Sequence, residues 1–163
     1  MDIGPGKSEG GGDATAPRSI SQTGINLIKE FEGLRLEAYL CAASVWTNGY
    51  GSTGPHITPG MKITEQEAEA LLIKDLSRFE KAVIELIEVP LTQNEFDACV
   101  SFSFNIGTGA LADSTFRRRM NAGEDKPTCF REEFCKWVRG SDGPLPGLVR
   151  RRKAEIALAL QMT

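Results

Sequence analysis

An abrupt change of pattern at Gly33 is the feature that most constrains the fold of this chain. Residues 21–32 carry apolar side chains at helical spacing, and Ser21 is a suitable N-cap. Glycine is a common residue just past a helix end, because it adopts backbone conformations that other residues avoid. Residues 34–58 then place apolar side chains among frequent glycines, which is typical of a small antiparallel sheet with tight turns. The change indicates a mixed fold.

Helical patterns dominate the remainder of the chain. Two capping-box sequences, at residues 64–67 and 92–95, mark the starts of two helices, because the threonine and the glutamate in each can satisfy free N–H groups reciprocally. The following helix is long for a small domain. Helices are predicted over about 65–88, 93–107, 113–121, 127–138 and 148–160, with a loop over 140–147.

This order of elements predicts an α+β fold that is predominantly helical. Residues 1–20 are rich in Gly, Ser and Pro and contain neither a secretory signal nor an anchor, so we expect a disordered leader. No run of 18 apolar residues occurs, so no membrane insertion is expected. One folded domain is predicted over residues 21–163, consistent with the length of 163 residues.

The cysteine and histidine content argues against a metal site. The four cysteines form no CxxC pair, and His56 is the single histidine. We therefore expect no metal and no histidine-dependent nucleophile. The thiols are expected to be free, with Cys99, Cys129 and Cys135 as small core residues.

The net charge of −3 is unevenly distributed. Residues 117–153 carry a net charge of +6, and the remainder carries −9. A basic C-terminal half favours contact with an anionic polymer, either nucleic acid or cell-wall material. No nucleic-acid-binding motif accompanies the basic residues, so nucleic acid is not expected to be the partner.

Glu32 is the carboxylate whose position is most informative. A glutamate on the last turn of a helix is most often a solvated side chain. Partial burial beside Phe31 would instead raise its pKa, as an acid in glycoside cleavage requires. Glu30 points to a different face of the helix and is the weaker candidate.

Glu32, Cys41 and Thr47 carry a family resemblance. Residues 25–53 resemble the N-terminal lobe of phage-type lysozymes, or endolysins, of glycoside hydrolase family 24. In that family a glutamate is followed after eight residues by aspartate or cysteine, and after five more by threonine. Further short motifs extend the resemblance over about residues 21–161, at 59–64, 90–92, 104–107, 114–116, 120–123 and 147–152.

The resemblance implies a lysozyme-like fold with two lobes. It would consist of a small N-terminal sheet lobe (about 21–64), a connecting helix (about 65–88) and a C-terminal helical lobe (about 89–163). Its implied activity is hydrolysis of the bond between N-acetylmuramic acid and N-acetylglucosamine in bacterial peptidoglycan, without cofactor or metal.

Roles for individual residues follow from the same resemblance. Glu32 would be the general acid, and Cys41 and Thr47 would hold a water on the opposite face of the sugar, the inverting geometry. Cys41 would act as a base only if its pKa is lowered, and would otherwise position the water. Without the resemblance, it would be read as a small half-buried residue. Asn105, Thr115 and Arg151 are the candidate substrate-binding residues.

The cationic run at 150–153 is predicted to open the last helix, where the helix dipole favours acids instead. One of its arginines is expected to pair with Glu32, but the sequence does not indicate which one. A solvated basic face is the alternative.

An endolysin of this kind would accumulate as a monomer in the host cytoplasm. It would reach the wall in the periplasm through a holin lesion.

Three residues depart from the usual family pattern: Ser44, Asn48 and Ser52, the last where histidine is common. They leave open a non-catalytic peptidoglycan-binding protein of the same fold. A lytic transglycosylase is a further alternative.

Overall fold

The computed structural model describes residues 16–17 and 19–161. The helices and strands in chain order are α1 Gln22–Glu32, β1 Arg35–Leu40, β2 Trp46–Gly49, β3 Ser52–Thr53, α2 Glu65–Leu86, α3 Gln93–Ile106, α4 Thr108–Asp113, α5 Thr115–Asn121, α6 Lys126–Phe134, β4 Arg139–Gly140, β5 Gly143–Pro144 and α7 Pro146–Ala159. The predicted α+β, predominantly helical fold is confirmed.

The strands β1, β2 and β3 form an antiparallel sheet in that order. Thr47 of the central strand β2 pairs with Tyr39 of β1 and with Thr53 of β3. Few large apolar side chains are buried by this small sheet, whose buried residues include the polar Thr47, Asn48 and Ser52.

Helix α2 begins with the predicted capping box, in which Thr64 and Glu67 each accept a backbone N–H of the other. Its buried residues recur at helical spacing: Ala68, Leu72, Leu76, Phe79 and Val83. The helix packs against β2 and β3 on one side and against α3 and α4 on the other. It therefore connects the sheet to the helices that follow.

Helix α3 is the central element of the helical region. It begins with the second predicted capping box, Thr92 with Glu95, and the nine consecutive residues from Glu95 to Ser103 are buried. It packs against α1, α2, α4 and α7. Beside it lies an aromatic cluster of Phe102, Phe116, Phe130, Phe134 and Trp137.

The structure corrects several predicted boundaries. The helix predicted at 113–121 corresponds to α5, and α4, which ends at Asp113, was not predicted. The segment 140–147, predicted as a loop, contains part of the β4–β5 hairpin and the first two residues of α7. Two glycines near the start of α4 weaken its helical signal, and strands of two residues are too short to show a periodicity.

Most of the predicted disordered leader, residues 1–20, lies outside the described residues. At the last residue of this segment, Ile20 is buried and its N–H donates to Glu80 Oε2 at 2.7 Å. Cys135 was expected in the core but is exposed, whereas Cys99 and Cys129 are buried. Across residues 16–17 and 19–161, none of the helices is both long and apolar enough to span a bilayer.

Candidate active site

Glu32 is the last residue of α1, and its side chain is 24% exposed. Its Oε2 accepts a hydrogen bond from Arg151 Nη1 at 2.6 Å. Its Oε1 faces the turn between β2 and β3, where a Cβ added to Gly51 would lie 3.9 Å away. The carboxylate therefore points between the sheet and α7, where a polymer substrate could still reach it.

Cys41 and Thr47 lie together on the hairpin that joins β1 to β2. The Cys41 N–H donates to the Val45 carbonyl at 3.0 Å, which closes the turn. Hydrogen bonds from the backbone N–H groups of Val45 and Ala43, and then from the Thr47 hydroxyl, lower the pKa of the Cys41 thiol. A lowered pKa increases the thiolate fraction near neutral pH.

The Thr47 hydroxyl has two acceptors within reach. It is 2.9 Å from the Val45 carbonyl, and it also contacts the Cys41 sulfur. Because a hydroxyl carries one proton, it can donate to only one of them at a time. A change in the ionisation of Cys41 can thus reorient the Thr47 hydroxyl.

Arg151 is the arginine that pairs with Glu32, although 119 residues separate the two. It is 3% exposed, and its remaining donors go to Glu155 Oε2 at 3.2 Å and to the Ser101 carbonyl at 3.3 Å. A buried guanidinium with these partners presents little surface to a sugar. Its position indicates that it acts mainly on the Glu32 carboxylate.

The cationic run at 150–153 does not open the last helix, because α7 begins at Pro146. The arginines therefore follow the first turn, where the unfavourable dipole effect has faded. Arg151 and Arg152 are buried in ion pairs, and Arg150 and Lys153 are exposed. The alternative that the cationic run forms a solvated basic face is therefore wrong for Arg151 and Arg152.

Asn105 lies at the C-terminal end of α3, and its Oδ1 accepts a hydrogen bond from Arg152 Nη2. It borders a surface cavity of about 350 Å³ together with Lys136, Trp137 and Arg139. The cavity is thus lined by cationic and aromatic side chains. Asn105 also contacts Arg152, which follows the arginine that binds Glu32.

Thr115 is the first residue of α5, and its hydroxyl accepts from Arg118 Nη2 at 2.7 Å. Its neighbour Ser114 is the N-cap, since the Ser114 hydroxyl accepts from the Arg117 N–H at 3.1 Å. Ser114, and not Thr115, therefore caps the N-terminus of α5. The structure does not bring Thr115 into the contacts around Glu32.

Glu155 and Ser101 are the residues of this region that the sequence reasoning missed. Ser101 Oγ donates to Glu155 Oε2 at 2.5 Å, inside the interface of α3 with α7. A signal was available for Glu155, because it follows Arg151 by four residues and Arg152 by three, the spacing of helical ion pairs. No local pattern marks Ser101.

Comparison with known proteins agrees with this geometry. Residues 29–155 match the phage lysozyme family. The chain belongs to the phage lysozyme family. The predicted family is confirmed, and with it the assignment of the chain as a lysozyme-type hydrolase.

Individual relatives show how much of the chain this membership covers. The chain is 46% identical to the endolysin of Acyrthosiphon pisum secondary endosymbiont phage 1, over 85% of this chain and 96% of that protein. Some relatives are longer, and the match covers 54% of the endolysin of Bacillus phage B103.

Two solved structures are similar throughout. The muramidase domain of SpmX from Asticaccaulis excentricus superimposes with a TM-score of 0.82 at 40% identity, over 90% of this chain and 100% of that one. A mutant of P22 lysozyme also gives a TM-score of 0.82, at 37% identity, over 88% of this chain and 99% of that one.

The three residues that depart from the family pattern lie in different structural environments. Ser44 has φ 62°, a conformation that glycine adopts at lower cost, in the turn after Cys41. Ser52 is buried and donates to Asp75 Oδ2 of α2 at 2.7 Å, so it joins the sheet to the connecting helix. Asn48 is fully buried, and its Oδ1 has no hydrogen-bond partner within the described residues.

Proposed function

We propose that this protein is an endolysin that hydrolyses the β-1,4 bond between N-acetylmuramic acid and N-acetylglucosamine with inversion of configuration. The observation that carries the proposal is the placement of Glu32. Its carboxylate is held at 2.6 Å by a buried arginine and faces the turn that follows the strand of Thr47. Within the phage lysozyme family, this arrangement suits a single acid acting across a glycan strand.

Glu32 acts as the general acid and donates its proton to the glycosidic oxygen. When it does so, a negative charge develops on its carboxylate, next to the Arg151 guanidinium. This attraction is stronger in the transition state than before proton transfer, which is the condition for an interaction to accelerate the reaction. Arg151 thus contributes to catalysis through Glu32 rather than through the sugar.

Cys41 and Thr47 hold the attacking water on the other face of the sugar ring. The lowered pKa of the Cys41 thiol increases the fraction of thiolate, the form that can accept a proton from that water. The Thr47 hydroxyl can donate to the Val45 carbonyl or to the Cys41 sulfur, and its oxygen can orient the same water by accepting a hydrogen bond. Direct displacement by water requires room between acid and base, roughly 6.5–9.5 Å in inverting glycosidases.

Substrate contacts extend from Glu32 into the helical lobe. Asn105 borders the cavity that Lys136 and Arg139 make cationic, so it can contact the glycan beside anionic groups of the wall. Thr115 offers a hydroxyl at the surface farther along the helical lobe. The long helix α2 would let the sheet of residues 35–53 move relative to the helices of residues 93–159 around the glycan.

The biological role that follows is host cell lysis. The endolysin would accumulate as a monomer in the host cytoplasm and cross the membrane through a holin lesion to reach peptidoglycan in the periplasm.

A turbidity assay on chloroform-treated Gram-negative cells tests the proposed activity. The wild-type protein should clear the suspension, and Glu32→Gln should not. Glu30→Gln is the matched control, because Glu30 is an exposed carboxylate on the same helix. Clearing that survives in Glu32→Gln would remove Glu32 from the mechanism. Binding to walls without clearing by the wild type would favour the non-catalytic alternative.

Product analysis separates hydrolysis from transglycosylation. Mass spectrometry of digested peptidoglycan should find reducing N-acetylmuramic acid ends. A 1,6-anhydro product would identify a lytic transglycosylase, and NMR of the fresh product should show the inverted α-anomer.

A further inference from the structure

Glu155 is a fully buried carboxylate that the proposed reaction does not use directly. It lies on α7 and accepts hydrogen bonds from Ser101 Oγ at 2.5 Å, from Arg151 Nε at 3.2 Å and from Arg152 Nη1. Glutamate is almost never fully buried unless it is paired. The two arginines supply that pairing inside the helical lobe.

The guanidinium of Arg151 is shared between two carboxylates. Its Nε binds Glu155, and its Nη1 binds Glu32 on α1. Because the guanidinium is planar, fixing Nε also fixes the direction of Nη1. Glu155 therefore orients the donor that reaches Glu32.

Arg152 is held by the same carboxylate. Its other donors go to the Trp137 carbonyl at 2.9 Å and to Asn105 Oδ1. The charge of Arg152 is thus compensated by Glu155 alone among these partners, since the other two are neutral. Without Glu155, the positive charge of both arginines would act on Glu32.

The charges of Glu32, Arg151, Arg152 and Glu155 determine how Glu155 affects the protonation of Glu32. With Glu32 ionised, the cluster has two positive and two negative charges, and with Glu32 protonated it has one positive charge in excess. Loss of the Glu155 charge would add a further positive charge in both states. This would oppose the protonated form of Glu32, which the general acid requires.

The groups that face Glu155 from the neighbouring elements do not alter this count. Helix α3 contributes Ser101 and Cys99, and burial raises the pKa of the Cys99 thiol, with a further contribution from nearby carboxylates, so Cys99 stays neutral. In the described part of α6, the buried Glu133 is directed to Arg119 and Lys136 instead.

We infer that Glu155 is a positioning residue that sets the pH range in which Glu32 can act as an acid, by compensating Arg152 and orienting Arg151. This inference rests on the proposed role of Glu32. It assigns to the Ser101–Glu155–Arg152 contacts a function in the reaction as well as in folding.

The first test is the pH dependence of peptidoglycan cleavage. Glu155→Gln keeps the shape of the side chain and removes its charge, so the alkaline limb of the profile should move to lower pH by about 0.5–1 unit, for charges interacting at an effective dielectric near 20. Arg152→Gln removes a positive charge and should move that limb to higher pH. The double variant should return it toward the wild-type position.

Glu133→Gln is the matched control, because Glu133 is also a buried carboxylate bound to an arginine, but has no contact with Glu32. Its alkaline limb should coincide with that of the wild type. Urea denaturation establishes that each variant is folded at the assay temperature. If Glu155→Gln does not fold, Arg152→Gln alone tests the inference. The alkaline limb of its pH profile should move to higher pH, and an unchanged limb would contradict the inference.

The second test is a ¹³C NMR titration of the Glu32 carboxyl carbon in the same proteins. It requires no activity, so it separates this inference from the proposed function. The midpoint should fall in Glu155→Gln and rise in Arg152→Gln. Unchanged midpoints in folded variants, or shifts of both variants in one direction, would overturn the inference even if Glu32→Gln abolishes cleavage.

Discussion

The sheet region, residues 35–63, and the helical region, residues 93–159, differ in how many large apolar side chains they bury. The helical region has a dense aromatic core, in which Phe102 and Phe134 stack with ring centroids 3.9 Å apart. The sheet region leaves Leu36, Leu40 and Val45 more than two-fifths exposed, and only a few large apolar side chains of it are buried, among them Tyr50 and Ile57.

This difference separates the sources of stability and of chemistry. Burial of the aromatic rings contributes hydrophobic free energy to the helical region, so this region is the stable platform. In the sheet region, the hydrogen bonds of the β1–β2 hairpin place a thiol and a hydroxyl next to each other. Glu32 lies at the boundary, on a helix that packs on α3, and receives its partner Arg151 from α7.

The largest effect is expected in the aromatic core. Phe134→Ala should lower the free energy of unfolding by about 3–5 kcal/mol, because it removes a fully buried ring and leaves a cavity. Leu40→Ala in the sheet region should change it by less than about 0.5 kcal/mol, since Leu40 is 52% exposed. Urea denaturation measures both. Comparable losses would show that the two regions contribute equally to stability.

The contact of α1 with α3 should be the next most sensitive feature. A Cβ at Gly24 would lie 2.6 Å from Ile20 Cγ1 and 2.8 Å from Asp97 Cβ, so Gly24→Ala should destabilise the protein by about 1–3 kcal/mol. Gly109→Ala is the control, because the added Cβ would meet no atom within 4 Å and alanine favours the helix. Thermal unfolding should place the two variants on opposite sides of the wild type. A neutral Gly24→Ala would mean that α1 can shift without cost.

The thiols should differ in reactivity between the two regions. The lowered pKa of Cys41 gives it more thiolate at any given pH, so its alkylation by iodoacetamide should reach half its maximal rate at a lower pH than for an unperturbed cysteine. Burial raises the pKa of Cys99, which should react only after unfolding. Peptide mass spectrometry across pH 6–10 resolves the sites. If Cys41 titrates like a free cysteine, its role as a base would lose its support.

The smallest effect is expected at the turn after Cys41. Ser44→Gly should stabilise the protein by at most about 1 kcal/mol, because relief of the positive φ of 62° slightly exceeds the entropy that glycine loses on folding. Ala43→Gly, at an exposed neighbour, should be neutral or destabilising. Equal effects of the two substitutions in urea denaturation would indicate that the turn is unstrained.

Local patterns in the sequence were sufficient for most of the helices. The capping boxes at Thr64 and Thr92 are confirmed, because their hydrogen bonds join residues three positions apart. The same reasoning missed α4, whose glycines weaken its pattern, and wrongly placed Cys135 in the core. Cys135 is exposed because of the way α6 packs on the aromatic cluster. The sequence of this short helix does not specify which of its faces is buried.

The sequence by itself therefore determined the fold class, the main helices, the family and the candidate residues Glu32, Cys41 and Thr47, since each depends on spacing along the chain. The tertiary structure alone decided that Arg151 binds Glu32 and that Glu155 orients Arg151. Those contacts join α1, α3 and α7, and they exist only when the three helices pack and water is excluded from the charges between them.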